Sequence, residues 1–178
     1  MSLEHRKQKG MALLASLVFL LLLSFIGLSA MGSAGQQEKM AGSVRLANQS
    51  LQVAETALRV GESQLEVQWP GFLVCSSSVQ CAPPREALTR TVAGVDSQSG
   101  VLWVQVTDGL YGIQNLGLSQ ITEPKAKPAQ VYRVTGIGLR GQSRTVLETI
   151  YVRYPQASDG AEAPIRQHFR RIMWRQIQ

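Results

Sequence analysis

Two cysteines, two histidines, one glycine-spaced string and a run of arginines are the residues of this chain whose types and spacing could do chemistry. Cys75 and Cys81 bracket Ser76-Ser77-Ser78-Val79-Gln80, a spacing open to a disulfide, two free thiols or half a metal site. No further cysteine exists to complete a metal site, and no His/Cys/Asp/Glu cluster has ligand spacing. His5 lies in a short basic stretch at the start, and His168 stands among arginines, the setting of a surface histidine. Gly136-Ile137-Gly138-Leu139-Arg140-Gly141 satisfies the Gly-x-Gly-x-x-Gly string. It sits in a strand-forming stretch with no helix after it, so it lacks the context of a dinucleotide site. There is no Gly-x-Ser-x-Gly elbow and no visible base–nucleophile pair. No catalytic residue, metal or cofactor is assigned, and the chain is read as a non-enzyme.

Charge has two addresses. The 178 residues carry a formal net charge of +6. Residues 1–10 hold Arg6, Lys7 and Lys9 against Glu4, and residues 164–178 hold Arg166, Arg170, Arg171 and Arg175 with no acid. Everything between balances, eleven basic residues against eleven acidic ones, so the globular part is neutral and nucleic acid is excluded as a partner. The four arginines alternate with Phe169, Ile172 and Trp174. They are a candidate surface for an acidic partner, while the default is a solvated final strand whose charges keep an edge from aggregating.

The elements that would position these residues begin with a membrane-length segment. Met11 to Met31 contains no charge, Asn, Gln or Pro. As a helix it spans ~32 Å, close to the hydrocarbon thickness of a bilayer. The basic residues ahead of it hold that end in the cytoplasm and send the bulk of the chain to the other side. Three readings are open: a secretory signal cut near Gly32-Ser33-Ala34, a plain anchor, or a retained segment behind a short leader. The first is weakened because the apolar run exceeds the usual ~7–15 residues of a signal's core. Beyond the membrane the compartment is oxidising, and an even count of two cysteines there favours a local Cys75–Cys81 disulfide.

From Gln36 the pattern becomes amphipathic. Met40, Val44, Ala47, Leu51, Ala54, Leu58, Gly61 and Leu65 follow in steps of four and three on one helical face. Glu55 and Arg59 form a flanking i,i+4 pair, and Trp69-Pro70-Gly71 stops the helix. Gly27, Gly32, Gly35 and Gly42 mark expected sites of local melting or bending, each costing ~1 kcal/mol against Ala. A coiled-coil stalk shares this spacing, but Ala47, Ala54 and Gly61 suit a surface covered by the chain's own sheet better. Strands are predicted over Val101–Thr107, ending at Asp108-Gly109, and over Val131–Leu139 and Arg144–Tyr154. The last two join as a hairpin across Arg140-Gly141-Gln142-Ser143. Loops are predicted at Glu123–Pro128 and Pro155–Pro164, and Gln167–Ile177 reads as a final strand in preference to a basic helix.

Several of these stretches resemble one family. Lys9-Gly10-Met11-Ala12-Leu13-Leu14 is similar to the class III leader junction of type IV pilins. Together with Gln37-Glu38-Lys39-Met40-Ala41-Gly42 and Ala54-Glu55-Thr56-Ala57-Leu58-Arg59 it resembles the N-terminal signature of PilX-type minor pilins. Tyr132-Arg133-Val134-Thr135-Gly136, then Thr145 to Tyr151, resemble their closing hairpin, and Ile172-Met173-Trp174-Arg175-Gln176 their last strand. The resemblance covers residues 9–60 well and 130–178 more loosely, and residues 70–125 match no motif of it.

The resemblance implies an α+β fold, a long N-terminal helix packed on an antiparallel sheet. It divides the chain into a leader (1–10), an apolar helix (11–35), its amphipathic continuation (36–68) and a β-rich periplasmic region (69–178). It implies cleavage by prepilin peptidase between Gly10 and Met11, N-methylation of Met11, and residence in the inner membrane before entry into a pilus. Its implied partners are other minor pilins and the major pilin, with a tip adhesin as a further candidate. The fifth mature residue, usually Glu in major pilins, is Ala15 here. The expected function is a minor pilin that helps initiate type IV pilus assembly at or near the tip. The alternatives are a type II secretion minor pseudopilin and a membrane-anchored periplasmic binding module that never polymerises.

Overall fold

A computed structural model describes residues 9–119, 128–154 and 168–177. Helix α1 runs Lys9–Gln68. Among the described residues six strands follow: β1 (Gly94–Val95), β2 (Leu102–Val106), β3 (Gly109–Ser119), β4 (Ala129–Arg140), β5 (Ser143–Tyr154) and β6 (His168–Ile177). They form one antiparallel sheet in sequence order, β1-β2-β3-β4-β5-β6, so every strand neighbours the next in the chain. This is an α+β, pilin-like arrangement. By compactness the chain divides between Val44 and Arg45.

In the first unit α1 is helical through Gly27, Gly32, Gly35 and Gly42, with no break at any of them. One ~1 kcal/mol penalty per glycine does not interrupt a helix flanked by Leu, Ala and Met in the single chain. This stretch is long and apolar enough to cross a membrane, and Leu17, Phe19, Phe25 and Ile26 are all exposed on it. Met40 and Val44 are exposed as well, so the predicted apolar stripe is only partly covered.

Coverage begins at Ser50 in the second unit. Ala54, Ala57, Leu58, Gly61 and Leu65 are buried, and Ala54, Leu58 and Leu65 share a core with Tyr132, Val134, Leu147 and Tyr151. The helix can approach because β4 presents bare backbone to it. A Cβ at Gly136 would stand 2.7 Å from the Ala54 carbonyl oxygen, and one at Gly138 would overlap the Ser50 carbonyl and the Ala54 backbone. The Gly-x-Gly spacing is thus a helix seat: residues two apart share one face of a strand. Ser50 Oγ lies 2.7 Å from Thr145 Oγ1 at the same contact. Glu55 and Arg59 make no ion pair, in keeping with the few tenths of a kcal/mol that such an exposed pair contributes.

The opposite face is covered by residues 80–101, while Phe72 joins the helix-side core. Ala87, Val101, Trp103, Leu110, Ile137 and Val146 form a second core there. Arg144 fixes that cover by donating from Nη1 to the carbonyls of Ala87 and Arg90 at 3.1 and 2.7 Å. With both faces covered, β4 and β5 are buried along nearly their whole length instead of alternating.

Two sequence boundaries shift. The predicted turn at Asp108-Gly109 moves back one residue: Val106 pairs with Gly109 across Thr107-Asp108, and Thr107 carries a φ of +51°. The β4–β5 turn is two residues, not four, because Arg140 pairs with Ser143 and Gly141 takes a φ of +55°. β6 is a strand, as the sequence favoured. Of the predicted loops, all of Pro155–Pro164 and all but Pro128 of Glu123–Pro128 lie outside the described residues.

Candidate assembly surfaces

Three groups of residues were singled out by the sequence: the N-terminal junction, the cysteine pair and the arginine tail. The described part of the junction is helical. Gly10 lies within α1, Met11 is 74% exposed, and Ala15 is exposed one turn further on. Residues 1–8, including His5, lie outside the described residues.

Cys75 and Cys81 are joined by a disulfide, with Cα atoms 5.3 Å apart. The short helix α2 (Ser78–Cys81) supplies the geometry: Ser77 caps it by accepting from the Gln80 N–H, and Gln80 Oε1 accepts from Ser76 N and Oγ at 3.0 and 2.8 Å. These bonds turn the chain back on itself over five residues, which brings the thiols together.

The disulfide hairpin is tied to the sheet by residues that the sequence did not flag. Arg133 Nη1 donates to the Cys81 carbonyl at 2.9 Å and to Gln114 Oε1 at 3.0 Å. Gln114 Nε2 in turn donates to the Gln80 carbonyl at 2.6 Å. Behind Arg133 lies Glu148, fully buried, with Arg133 Nε 3.1 Å from its Oε2. That N–H is not aimed at the oxygen, so the contact is an ion pair without an aligned hydrogen bond. Arg175 holds the other carboxylate oxygen from Nη2 and Nε at 2.8 and 3.0 Å. Burial pulls the Arg133 guanidinium below its ordinary value, and the Glu148 carboxylate opposes that. A single buried acid shared by two arginines on neighbouring strands is a pattern visible only once the register Arg133–Ile150, Glu148–Arg175 is known.

The arginine tail is therefore not one surface. Arg175 faces Glu148, and Arg171 Nη2 reaches Glu62 of α1 at 2.9 Å while its Nε donates to the Tyr151 hydroxyl at 3.1 Å. That bond raises the Arg171 guanidinium, and burial pushes the Tyr151 hydroxyl up to about 12. Arg170 is exposed, and Arg166 lies outside the described residues. A charge reversal at Arg171 would break a contact within the fold, so only Arg170 of the described pair probes an outside partner cleanly.

A helix with an exposed apolar half, seated by its other half on an antiparallel sheet, is a pilin-like arrangement. Residues 9–59 match the PilX N-terminal family, so the chain carries a PilX-type N-terminal signature. That match supports a minor pilin of type IV pili in general, a structural role among other pilus components. No curated protein and no solved structure matches this chain.

Proposed function

We propose that this chain is a minor pilin that takes part in initiating type IV pilus assembly, at or near the pilus tip. The observation that carries the reading is the PilX-type N-terminus on a helix whose apolar half is exposed along its length. Such a surface is stable in a bilayer or among like helices in a filament core, and not in water. Prepilin peptidase would cut between Gly10 and Met11, and Met11 would be methylated. The other minor pilins, the major pilin and a tip adhesin would be its partners, reached from the inner membrane with the sheet on the periplasmic side.

Tip placement is motivated by Ala15. A Glu at this position in major pilins is thought to pair with the terminal amine of a neighbouring subunit. Breaking a formed buried pair costs ~3–5 kcal/mol. A subunit without the acid avoids that cost where no subunit lies ahead of it. The test is deletion of the chain together with immunogold labelling of sheared pili. Loss of pili and label confined to filament ends are expected. Intact pili with blocked protein secretion would move the chain to a pseudopilus, and label along the shafts would remove it from the tip.

A further inference from the structure

We infer that the outer edge of β2 is a strand-addition site for an extended, uncharged aliphatic segment of another protein. β1 covers this edge at Leu102 and Trp103 alone, through Val95 and Gly94. Among the described residues Val104, Gln105 and Val106 have no partner strand on that side, so their outward backbone groups are free to pair.

The surroundings of this edge select an occupant. Val104, Gln105 and Val106 each line a different depression, alternating across the strand as side chains do. Val104 borders a cleft of about 560 Å3 between the end of α1, residues 71–76 and β3. Gln105 borders one of about 310 Å3 beside Thr91 and Leu139 on the opposite face, and the Asp108–Arg140 ion pair, closed on itself at 2.7 Å, edges this depression and the next. Val106 borders one of about 320 Å3 beside Gln52 and Thr56. An added strand gains affinity from main-chain bonds and specificity from side chains entering alternate pockets. Here the pockets stand ready on both faces.

The largest cleft fixes the chemistry. No charged side chain lines it among the described residues, although charged residues make up 17% of the chain. Its floor includes Tyr111 and Ile113, and its rim carries Leu73 and Leu102, 92% and 56% exposed. Val95, paired with Leu102, extends the aliphatic rim onto β1. A charged segment would lose hydration there without a counter-ion, whereas an aliphatic one would cover rim side chains that now face water. A partner captured at this edge would be found whether or not the chain enters a pilus.

The test places a photo-crosslinking amino acid at Leu73 or at Gln105 of the full chain in native cell envelopes. Ser63, on the helix face turned away from the sheet, is the control. Adducts from both sites should map to one uncharged aliphatic segment of one other protein, and amide exchange at 104–106 should slow in the adduct-forming state. Leu102→Lys should lower the yield at Gln105 by about tenfold, since a lysine in the cleft must be desolvated by the occupant. Its thermal midpoint should be unchanged; if that variant unfolds, Val95→Lys, at a 65% exposed side chain, replaces it. Adducts no stronger than at Ser63, adducts within the same chain or a second copy, a charged partner segment, or an unaltered yield in the lysine variant would each overturn the assignment.

Discussion

Gly138 and Glu148 show how much of this fold rests on single side chains, or on the lack of one. A methyl group at Gly138 has nowhere to go, because the Ser50 carbonyl already occupies its place. Gly138→Ala should destabilise the protein by ~1–3 kcal/mol or more, whereas Gly42→Ala, with nothing within 4 Å of the added atom, should be neutral or mildly stabilising. Thermal unfolding of the two detergent-solubilised variants checks the contrast. Glu148→Ala strands the buried Arg133 charge and should cost ~3–5 kcal/mol. Tyr151 predicts an alkaline limb. Its folded value, about 12, lies above the ordinary tyrosine value of 10.0, so its contribution is fully present below pH 10. It is lost as pH rises from there toward 12. Tyr151→Phe should flatten stability over that window in a pH-resolved denaturation series. Asp96 acts at the other end. Its carboxylate accepts from the backbone N–H groups of Ser99 and Gln98, which hold it below its ordinary 3.8. That contribution is present above pH 3.8 and is lost as pH falls through the lower folded value.

At the scale of elements, the disulfide hairpin and the sheet meet through Arg133 and Gln114. The small ring restricts the unfolded chain by roughly 2–2.5 kcal/mol in the loop-entropy picture. Cys75→Ser with Cys81→Ser should therefore speed amide exchange over residues 72–84 while β3 to β5 stay protected. Equal acceleration in β4 would mean that the hairpin holds the sheet itself. How much was legible follows the same residues. The helix face, its stop at Trp69-Pro70-Gly71 and the β4–β5 hairpin were readable because periodicity and strand formers agree there. β3 was not: Gly109-Leu110-Tyr111-Gly112-Ile113-Gln114-Asn115 has too many glycines and amides for a strand signal. Those amides tie the segment after α1 to the sheet: Gln114 holds the disulfide hairpin, and Asn115 Nδ2 donates to the Phe72 carbonyl at 2.8 Å. The Gly-x-Gly string lacks the sequence context of a dinucleotide site, but its use as a helix seat is visible only in the packing. The division of labour within the arginine tail likewise needed the partners Glu62 and Glu148, which lie far away in sequence.

For the molecule as a whole, the proposed function requires that the apolar N-terminal helix is kept and begins at Met11, ready for a membrane and then a filament. Everything else in the proposed function depends on that terminus, since a cleaved signal would leave only the sheet and its helix seat. The most direct measurement is the intact mass of the mature chain recovered from the membrane. Residues 11–178 are expected, oxidised at Cys75 and Cys81 and carrying one added methyl group on Met11. Gly10 replaced by a bulky residue should leave the unprocessed chain. A mature chain beginning near Gly35, or one retaining Met1 with Gly10 intact, would contradict it.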